Sequence, residues 1–160
     1  MAFKGEIFIE GPDGTVEGPR ENKTSLVYEF DFEVYLPYET ETNKVQGSRR
    51  ITAFRVTKDI DKMTPILYQY CCEGTKLKKV TIILYKIKEA SETPYFNYVL
   101  ENATIVSVNN SMPTTKVKEN ENVGHLEKVK FMAEKFTWNN DPTDKDGRKG
   151  GSPTYTETAF

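Results

Sequence analysis

Apolar and polar residues alternate strictly along residues 25–36, which read Ser-Leu-Val-Tyr-Glu-Phe-Asp-Phe-Glu-Val-Tyr-Leu. Successive side chains of an extended chain point to opposite faces, so this pattern predicts one long strand, ended by Pro37. A helix would distribute the carboxylates around its whole circumference. Glu29, Asp31 and Glu33 share the solvated face, and the buried face holds Leu26, Tyr28, Phe30, Phe32, Val34 and Leu36. A strand this long exceeds the usual length of about 5–6 residues and favours a large sheet or a barrel.

Alternation of the same period recurs along the chain and predicts further strands at residues 5–10, 50–58, 77–87, 95–100, 103–108 and 125–138. In the last of these the apolar phase changes after Ala133, which predicts a β-bulge near Glu134 and Lys135. We expect lysines of a neighbouring strand, such as Lys128 and Lys130, to balance the acidic face of residues 25–36. The chain is therefore predicted to be rich in β-structure.

One helix is predicted, over about residues 64–73. Thr64 can cap the free N–H groups at its start, and Pro65 suits a first turn that requires no N–H donor. Gly74 suits the left-handed residue that ends a helix. One helical face is apolar and carries Ile66, Leu67, Tyr70 and Cys71.

Long polar segments lie between the strands at residues 38–49 and 110–124 and after them at residues 139–153. Residues 38–49 form a predicted loop of about a dozen residues, and loops this long in compact domains are usually functional or disordered. Residues 139–153 are rich in glycine, aspartate and lysine and have little to bury, and weak alternation returns only near the C-terminus. We therefore divide the chain into a domain over residues 1–138 and a short tail over 139–160 with the composition of a flexible segment.

Composition excludes several classes of protein. The chain has 160 residues, enough for one domain without a metal or disulfide, and a net charge of −2. Nucleic-acid binding would require an excess of positive charge, which is absent. Cys71 and Cys72 are adjacent and poorly placed for an unstrained disulfide. With no apolar run long enough for a signal peptide or membrane helix, we expect synthesis in the cytoplasm without a cleaved leader, and no membrane insertion.

Catalytic and metal-binding patterns are weak. A nucleophilic site would have to use His125, the only histidine, which more often would be a solvated residue at a strand end. Cys71, Cys72 and His125 are too few for zinc. Residues 141–147 resemble a calcium loop, but Pro142 stands at the first ligand position. We therefore predict a protein that is not an enzyme and needs no cofactor or metal.

Seven short segments occur in a fixed order and spacing. They are residues 33–37 (EVYLP), 54–61 (FRVTKDID), 64–68 (TPILY), 95–97 (YFN), 100–103 (LENA), 125–129 (HLEKV) and 134–138 (EKFTW). In this order they resemble the haemolysin-coregulated protein (Hcp) family, the tube subunit of the type VI secretion system. The resemblance covers nearly the whole chain and is weakest in its N-terminal third, where residues 11–24 depart from the family pattern.

The resemblance implies a mainly β fold, in which two packed sheets form a small β-barrel like that of phage tail tubes, with one short α-helix at its side. It implies homo-hexameric rings that stack into an expelled tube and carry small effector proteins in the lumen. The implied partners are the contractile sheath and tip-spike proteins of the secretion machine. The chain would reach the extracellular space or a target cell without a signal peptide. The tail is too short for a toxin domain, so the chain resembles a plain tube subunit.

Candidate assembly residues follow from the predicted strands and loops. Long strands expose backbone edges, and closure of a ring would remove them. The candidates for facing the lumen are Glu29, Asp31 and Glu33. The candidate for contacting the next ring is the polar loop, whose residues are Tyr38, Glu39, Thr40, Glu41, Thr42, Asn43, Lys44, Val45, Gln46, Gly47, Ser48 and Arg49. The alternative for this loop is an exposed, mobile hairpin without a partner.

Two other functions stay open from the residues alone. A monomeric β-sandwich module for carbohydrate or protein ligands would use a row of exposed aromatic residues, for which the candidates are Tyr35, Tyr38, Tyr85 and Tyr95. The same tyrosines would also suit contacts between subunits. A hydrolase would depend on His125.

Overall fold

A computed structural model describes residues 4–140 and 153–159 of the chain. Helix α1 (Thr64–Glu73) lies between the eighth and ninth of twelve strands in these residues. The strands are β1 (Lys4–Gly11), β2 (Gly14–Val16), β3 (Ser25–Asp31), β4 (Val34–Tyr35), β5 (Tyr38–Glu39), β6 (Lys44–Val45), β7 (Arg50–Ile51), β8 (Phe54–Asp59), β9 (Lys76–Lys88), β10 (Ser91–Ser111), β11 (Leu126–Asn140) and β12 (Thr154–Thr158).

Six strands close into an antiparallel barrel. The order is β10, β9, β1, β3, β8 and β11, and β11 pairs back onto β10, so each barrel strand has a partner on both sides. Strand β2 adds to β1, and β12 adds to β11 outside this closure. Helix α1 packs beside β10. The predicted mainly β barrel with one helix at its side is confirmed.

Apolar side chains from all six strands fill the barrel. One end of this core is aromatic: the Phe32 ring lies 4.9 Å from that of Phe54, 5.3 Å from that of Phe136 and 5.9 Å from that of Trp138, between ring centroids. Stacked and tilted aromatic pairs at these distances are favourable. The fully buried members of the core include Ile7, Ile9, Val56, Leu67, Leu77, Val80, Ile82, Val129 and Phe131. The N-terminal strands and the helix therefore share one core.

The single strand predicted over residues 25–36 is wrong. Strand β3 ends at Asp31, and only Val34 and Tyr35 form the separate β4. A register shift between Val27 and Glu29 places Tyr28 in a bulge, where it is exposed while Val27 is buried. The bulge reverses the alternation that the sequence predicted for Leu26 through Tyr28.

Two further strand predictions also need correction. The strand predicted over 50–58 is divided into β7 and β8, because the chain breaks opposite the β3–β4 break. The strands predicted over 95–100 and 103–108 are one strand, β10, in which Asn102 adopts a left-handed φ of 51°. Asparagine tolerates this conformation better than most residues, so the strand continues through it.

The bulge predicted near Glu134 and Lys135 is absent, because β10 and β11 stay in register from Phe131 to Asn140. The register shift lies instead between Ile105 and Ser107 on β10. The change of apolar phase on β11 coincides with Asn102, which lies opposite Glu134 and donates a 3.1 Å hydrogen bond to its Oε2. The change of apolar phase on β11 thus occurs opposite a single left-handed residue, Asn102, on β10.

Helix α1 has the predicted bounds, and Gly74 ends it with a φ of 64°. The predicted capping role of Thr64 is wrong: Met63 is the residue before the helix, and no side-chain cap is formed. Thr64 Oγ1 instead accepts a hydrogen bond from the Asp61 N–H (3.1 Å) and donates one to Glu127 Oε2 (3.2 Å). The start of the helix is fixed by tertiary contacts.

The predicted tail contains an ordered strand. Strand β12 pairs with β11 from Lys135 to Asn139, which places Tyr155 against Trp138 with ring centroids 5.8 Å apart. Residues 141–147, considered above as a calcium loop, lie outside the described residues. The division into a domain and a tail stays a prediction.

Candidate functional site

The candidate stacking loop is a β-hairpin. Residues 34–51, which we call the hairpin arm, have the β4–β7 pair at their base and the β5–β6 pair near their tip. The arm leaves the barrel between β3 and β4 on one side and between β7 and β8 on the other. At this point the Glu33 N–H donates a hydrogen bond to Thr52 Oγ1 (3.0 Å), and the Thr52 N–H donates one to the Glu33 carbonyl (3.0 Å). The expected irregular loop over residues 38–49 is therefore corrected to two short strands and a turn.

The tip of the arm is ordered by its own side chains. Glu39 Oε2 accepts hydrogen bonds from Thr42 Oγ1 (3.0 Å) and Gln46 Nε2 (2.8 Å). Asn43 has a φ of 55°, a conformation that asparagine tolerates in turns. Tyr38 and Val45 lie opposite each other on the two strands and are 71% and 61% exposed. The arm thus presents an apolar pair on a polar hairpin, a surface suited to contact with another protein.

An ion pair ties the base of the arm to the C-terminal strand. Arg49 Nε and Nη2 lie 3.2 and 3.0 Å from Glu157 Oε1, and Nη2 also donates to the Thr158 carbonyl. The hydroxyl of Tyr155 donates to the other oxygen of Glu157. The hydrogen bonds from Tyr155 and Arg49 hold the pKa of the Glu157 carboxyl below its ordinary value. The direction in which the arm leaves the barrel is therefore coupled to β12.

An apolar groove of about 610 Å³ lies beside this ion pair. Its apolar lining comes from Phe32, Val34, Leu36, Tyr98, Trp138 and Tyr155. The groove continues the exposed apolar surface of the arm onto the barrel. The tyrosines proposed as one ligand-binding row are divided instead between the arm (Tyr35, Tyr38) and the β9–β10 pair (Tyr85, Tyr95).

The candidate lumen residues Glu29 and Asp31 lie on the outer side of the barrel. Arg55 on β8 is opposite Asp31 in register, and its Nη2 lies 3.2 Å from Glu29 Oε1 and 3.7 Å from Asp31 Oδ2. Glu33 is exposed beyond the end of β3, at the base of the arm. We call the outer side of β3, β8 and β11 the charged face. It carries the acids on β3, Arg55 on β8, and Lys128 and Lys130 on β11. The expected balance by these lysines is wrong, since β8 separates them from β3 and the cation that contacts Glu29 and Asp31 is Arg55.

A buried network holds helix α1 against the barrel. Lys58 and Glu127 are 1% and 0% exposed, and Lys58 Nζ lies 2.5 Å from Glu127 Oε2 and 3.1 Å from Asp61 Oδ1. Ser25 Oγ donates to Asp61 Oδ2 (2.5 Å), and the Met63 N–H donates to Asp61 Oδ1 (2.9 Å). Lys58 thus pairs with two buried carboxylates, that of Asp61 just before the helix and that of Glu127 on β11.

A third buried carboxylate, that of Glu6, fixes the first strand. Its Oε1 lies 2.8 Å from Arg20 Nε, and its Oε2 accepts hydrogen bonds from Asn22 Nδ2 (3.1 Å) and Tyr85 OH (2.9 Å). Burial alone would raise the pKa of the Glu6 carboxyl, but the hydrogen bonds from Tyr85, Asn22 and Lys4 hold this pKa below its ordinary value. Burial and the bond to Glu6 raise the pKa of Tyr85 to about 12.

The stability of the fold should depend on the charge of Glu6. Because its folded pKa lies below the ordinary value of 4.5, the carboxylate stabilises the fold above that pH, and this contribution is lost as the pH falls through the folded pKa. We expect Glu6→Gln to lower the free energy of unfolding by about 2 kcal/mol at neutral pH and by less below about pH 4. Urea denaturation of both proteins across this range measures the difference.

Tyr85→Phe is the matched control. It removes one donor to Glu6 and leaves the carboxylate, so the folded pKa of Glu6 should lie closer to its ordinary value. The loss of stability on acidification should therefore be smaller than in the wild type and should end at a higher pH. If the free energy of unfolding differs between wild type and Glu6→Gln by the same amount at pH 7 and at pH 3, the charge of Glu6 does not contribute to stability.

The match to a known family decides the identity of the chain. The family model described as "Type VI secretion system effector, Hcp" matches residues 4–139, which include the six barrel strands and the hairpin arm. The chain belongs to the Hcp family. This membership supports the role of a type VI secretion tube subunit, with which ring assembly and effector carrying are consistent. The comparisons give no support to a monomeric binding module.

Relatives agree in sequence and in fold. The "Major exported protein" of Pseudomonas aeruginosa is 31% identical over 123 residues, which cover 76% of this chain and 72% of that protein. The structure of the Hcp1 protein from E. coli EAEC 042 is 28% identical, with a TM-score of 0.80 over 99% of this chain and 100% of that one. The secreted protein Hcp3 of P. aeruginosa shares the fold. It is 23% identical, with a TM-score of 0.74 over 98% of both chains.

The candidate catalytic residue of this Hcp chain, His125, lies just before β11. His125 is exposed, and within the described residues its ring makes no hydrogen bond to a serine, cysteine or carboxylate. Residues 4–140 and 153–159 contain no group of three histidine, cysteine, aspartate or glutamate side chains placed to hold a metal ion. Among the same residues, no helix is both long and apolar enough to span a bilayer.

Sequence reasoning missed the residues that organise these surfaces. Arg55 lies in the predicted strand 50–58, but its pairing with Glu29 depends on β3 and β8 being neighbours. Glu157 lies in the segment treated as a tail, far in sequence from Arg49. Lys58 and Glu127 look like exposed charges in alternating strands. The available signal was spacing: Lys58 follows Val56, and Glu127 precedes Val129, at the interval of the buried face.

Proposed function

We propose that this chain assembles into hexameric rings that stack into the tube of a type VI secretion machine and carry small effector proteins in the lumen. The proposal is carried by the family match over the complete barrel and the arm. Because the six barrel strands already pair on both sides, contacts between copies fall on side chains and short outer strands. The apolar groove and the exposed pair of Tyr38 and Val45 supply such surfaces.

The two candidate surfaces have different roles in this proposal. Residues Tyr38 to Arg49 of the arm contact the next ring, and Glu29, Asp31 and Glu33 face the lumen. An extended hairpin with an apolar pair suits an interface, whereas a polar barrel face suits a hydrated channel. The contractile sheath and the tip-spike proteins would enclose and cap the tube. In this proposal the chain is exported from the cell, and the name of the relative, "Major exported protein", supports export.

Electron microscopy of the purified protein tests the assembly. We expect rings with an open central hole, some of them stacked, at micromolar concentration. Isolated compact particles of the size of one barrel, at every concentration tried, would contradict the proposal.

A further inference from the structure

The apolar groove is bordered by an open backbone edge. Strand β12 pairs with β11 alone among the described strands, so its other side is the edge of the sheet. The backbone N–H of Ala159 donates a hydrogen bond to β11 (2.8 Å), and backbone groups of successive residues in a strand point to opposite sides. The N–H and C=O groups of Thr154 and Thr156 therefore point away from β11. On the same side the Thr158 carbonyl accepts a hydrogen bond from Arg49, so this edge faces the base of the hairpin arm.

The groove is suited to an extended segment. Val34 and Leu36 line it from the arm, and Tyr155 lines it from β12. Phe32 and Trp138, from the aromatic end of the core, complete this lining. An added strand would bond to the edge of β12 and place alternate side chains in the groove, which is the mode of recognition by β-addition. Exposed strand edges of this kind tend to pair with another chain.

The chain itself offers little to fill the groove. The segment that joins β11 to β12, residues 141–152, contains no aliphatic or aromatic side chain except that of Pro142. The arm of the same copy already forms part of the lining through Val34 and Leu36, and Arg49 ties its base to β12. In a stack of rings, the nearest source of an extended apolar segment is therefore another copy.

The tip of the arm has the features that the groove requires. The Gln46 N–H donates a hydrogen bond to the Pro37 carbonyl (2.7 Å), so by alternation the backbone N–H and C=O groups of Tyr38 and Val45 point outward from the hairpin. The same two residues carry the exposed apolar side chains of the tip. Open backbone groups and apolar side chains thus occur at the same positions, as they do along β12 and the groove.

We propose that the arm of one copy lies in the apolar groove of a copy in the next ring, where it adds to the edge of β12 and packs Tyr38 and Val45 beside Tyr155. This inference rests on the proposed function, in which the arm contacts the next ring. The contact joins two different surfaces of the chain, so one copy can bind one partner through its arm and another through its groove.

Disulfide trapping between preformed rings tests this contact. In a Cys71→Ser, Cys72→Ser background, rings of Val45→Cys are mixed with rings of Tyr155→Cys and oxidised. The intact mass of the heterodimer differs from that of either homodimer. We expect at least about tenfold more heterodimer than from the control pair Met112→Cys and Tyr155→Cys. Met112 is a matched control because it is as exposed as Val45 but lies outside the arm and the groove.

Several outcomes would overturn this inference. A Val45→Cys homodimer more abundant than the heterodimer would place arm against arm. Heterodimers that form only when the two chains are coexpressed would place the contact within one ring. Rings without the heterodimer contradict only this inference, whereas the absence of rings contradicts the proposed function.

A second measurement uses the stacks themselves. Tyr155→Ser should lower the fraction of rings in stacks as Val45→Ser does, and the two changes together should lower it little further, because they remove the same contact. Met112→Ser should stack like the wild type. Independent effects of Tyr155→Ser and Val45→Ser, in rings that native masses show to be intact, would separate the arm from the groove.

Discussion

Replacing Lys58 with methionine is expected to lower the free energy of unfolding by about 3–5 kcal/mol. The substitution keeps the length and packing of the side chain but removes the only cation near two buried carboxylates in the described residues, Asp61 and Glu127. An uncompensated buried charge costs much more than an ion pair gains. Urea denaturation at neutral pH and a fixed protein concentration measures the change, since ring assembly adds a concentration-dependent term.

Two further variants make this expectation specific. Lys135→Met removes a lysine that pairs with Glu101 on the surface at 3.3 Å, and should cost less than about 1 kcal/mol. Adding Glu127→Gln to Lys58→Met removes one of the two carboxylates that Lys58→Met leaves unpaired, and should restore part of the lost stability. If Lys58→Met is as mild as Lys135→Met, the buried network does not hold the helix to the barrel.

Shortening the arm is expected to abolish ring stacking and leave the rings intact. Replacing residues 40–47 by an Asn-Gly turn removes Val45 and the turn but keeps the β4–β7 base and the ion pair of Arg49 with Glu157. Burial of one such apolar side chain stabilises a contact by on the order of 2 kcal/mol, and all copies in a ring act together. The fraction of rings found in stacks by electron microscopy should therefore fall to near zero.

The control for the arm keeps its length. The double variant Tyr38→Ser, Val45→Ser preserves the hairpin and its hydrogen bonds to Glu39 and removes the exposed apolar pair, so it should weaken stacking almost as much. Thr42→Ala changes the same tip without altering the apolar pair, and should stack like the wild type. Undiminished stacking after the shortening would show that the arm is not the ring-to-ring contact.

Local signals made the helix predictable and left the strands less certain. Pro65 and Gly74 act within their own turns, so the bounds of α1 could be read from the sequence. The break between β3 and β4 depends on contacts far along the chain: Phe32 turns into an aromatic cluster with Phe136 and Trp138. The alternation in the sequence continues through this break, because the residues beyond it are also extended. They form the separate β4–β7 pair.

The surfaces were only partly predictable for the same reason. The acidic residues of β3 and the polar segment after it are visible in the sequence, as is the order of segments that resembles the Hcp family. Which cation lies beside Glu29 depends on strand order, and Arg55 takes the place predicted for lysines that lie two strands away. The coupling of Arg49 to Glu157 depends on β12 pairing with β11, which joins residues more than 100 positions apart.

Native mass spectrometry of the purified chain tests the central claim most directly, because it counts the copies in one particle. We expect, at micromolar concentration, a dominant species of six times the 18.3 kDa mass of the monomer, with multiples of that mass where rings stack. A single species of 18.3 kDa under every condition, including low salt and high concentration, would contradict it.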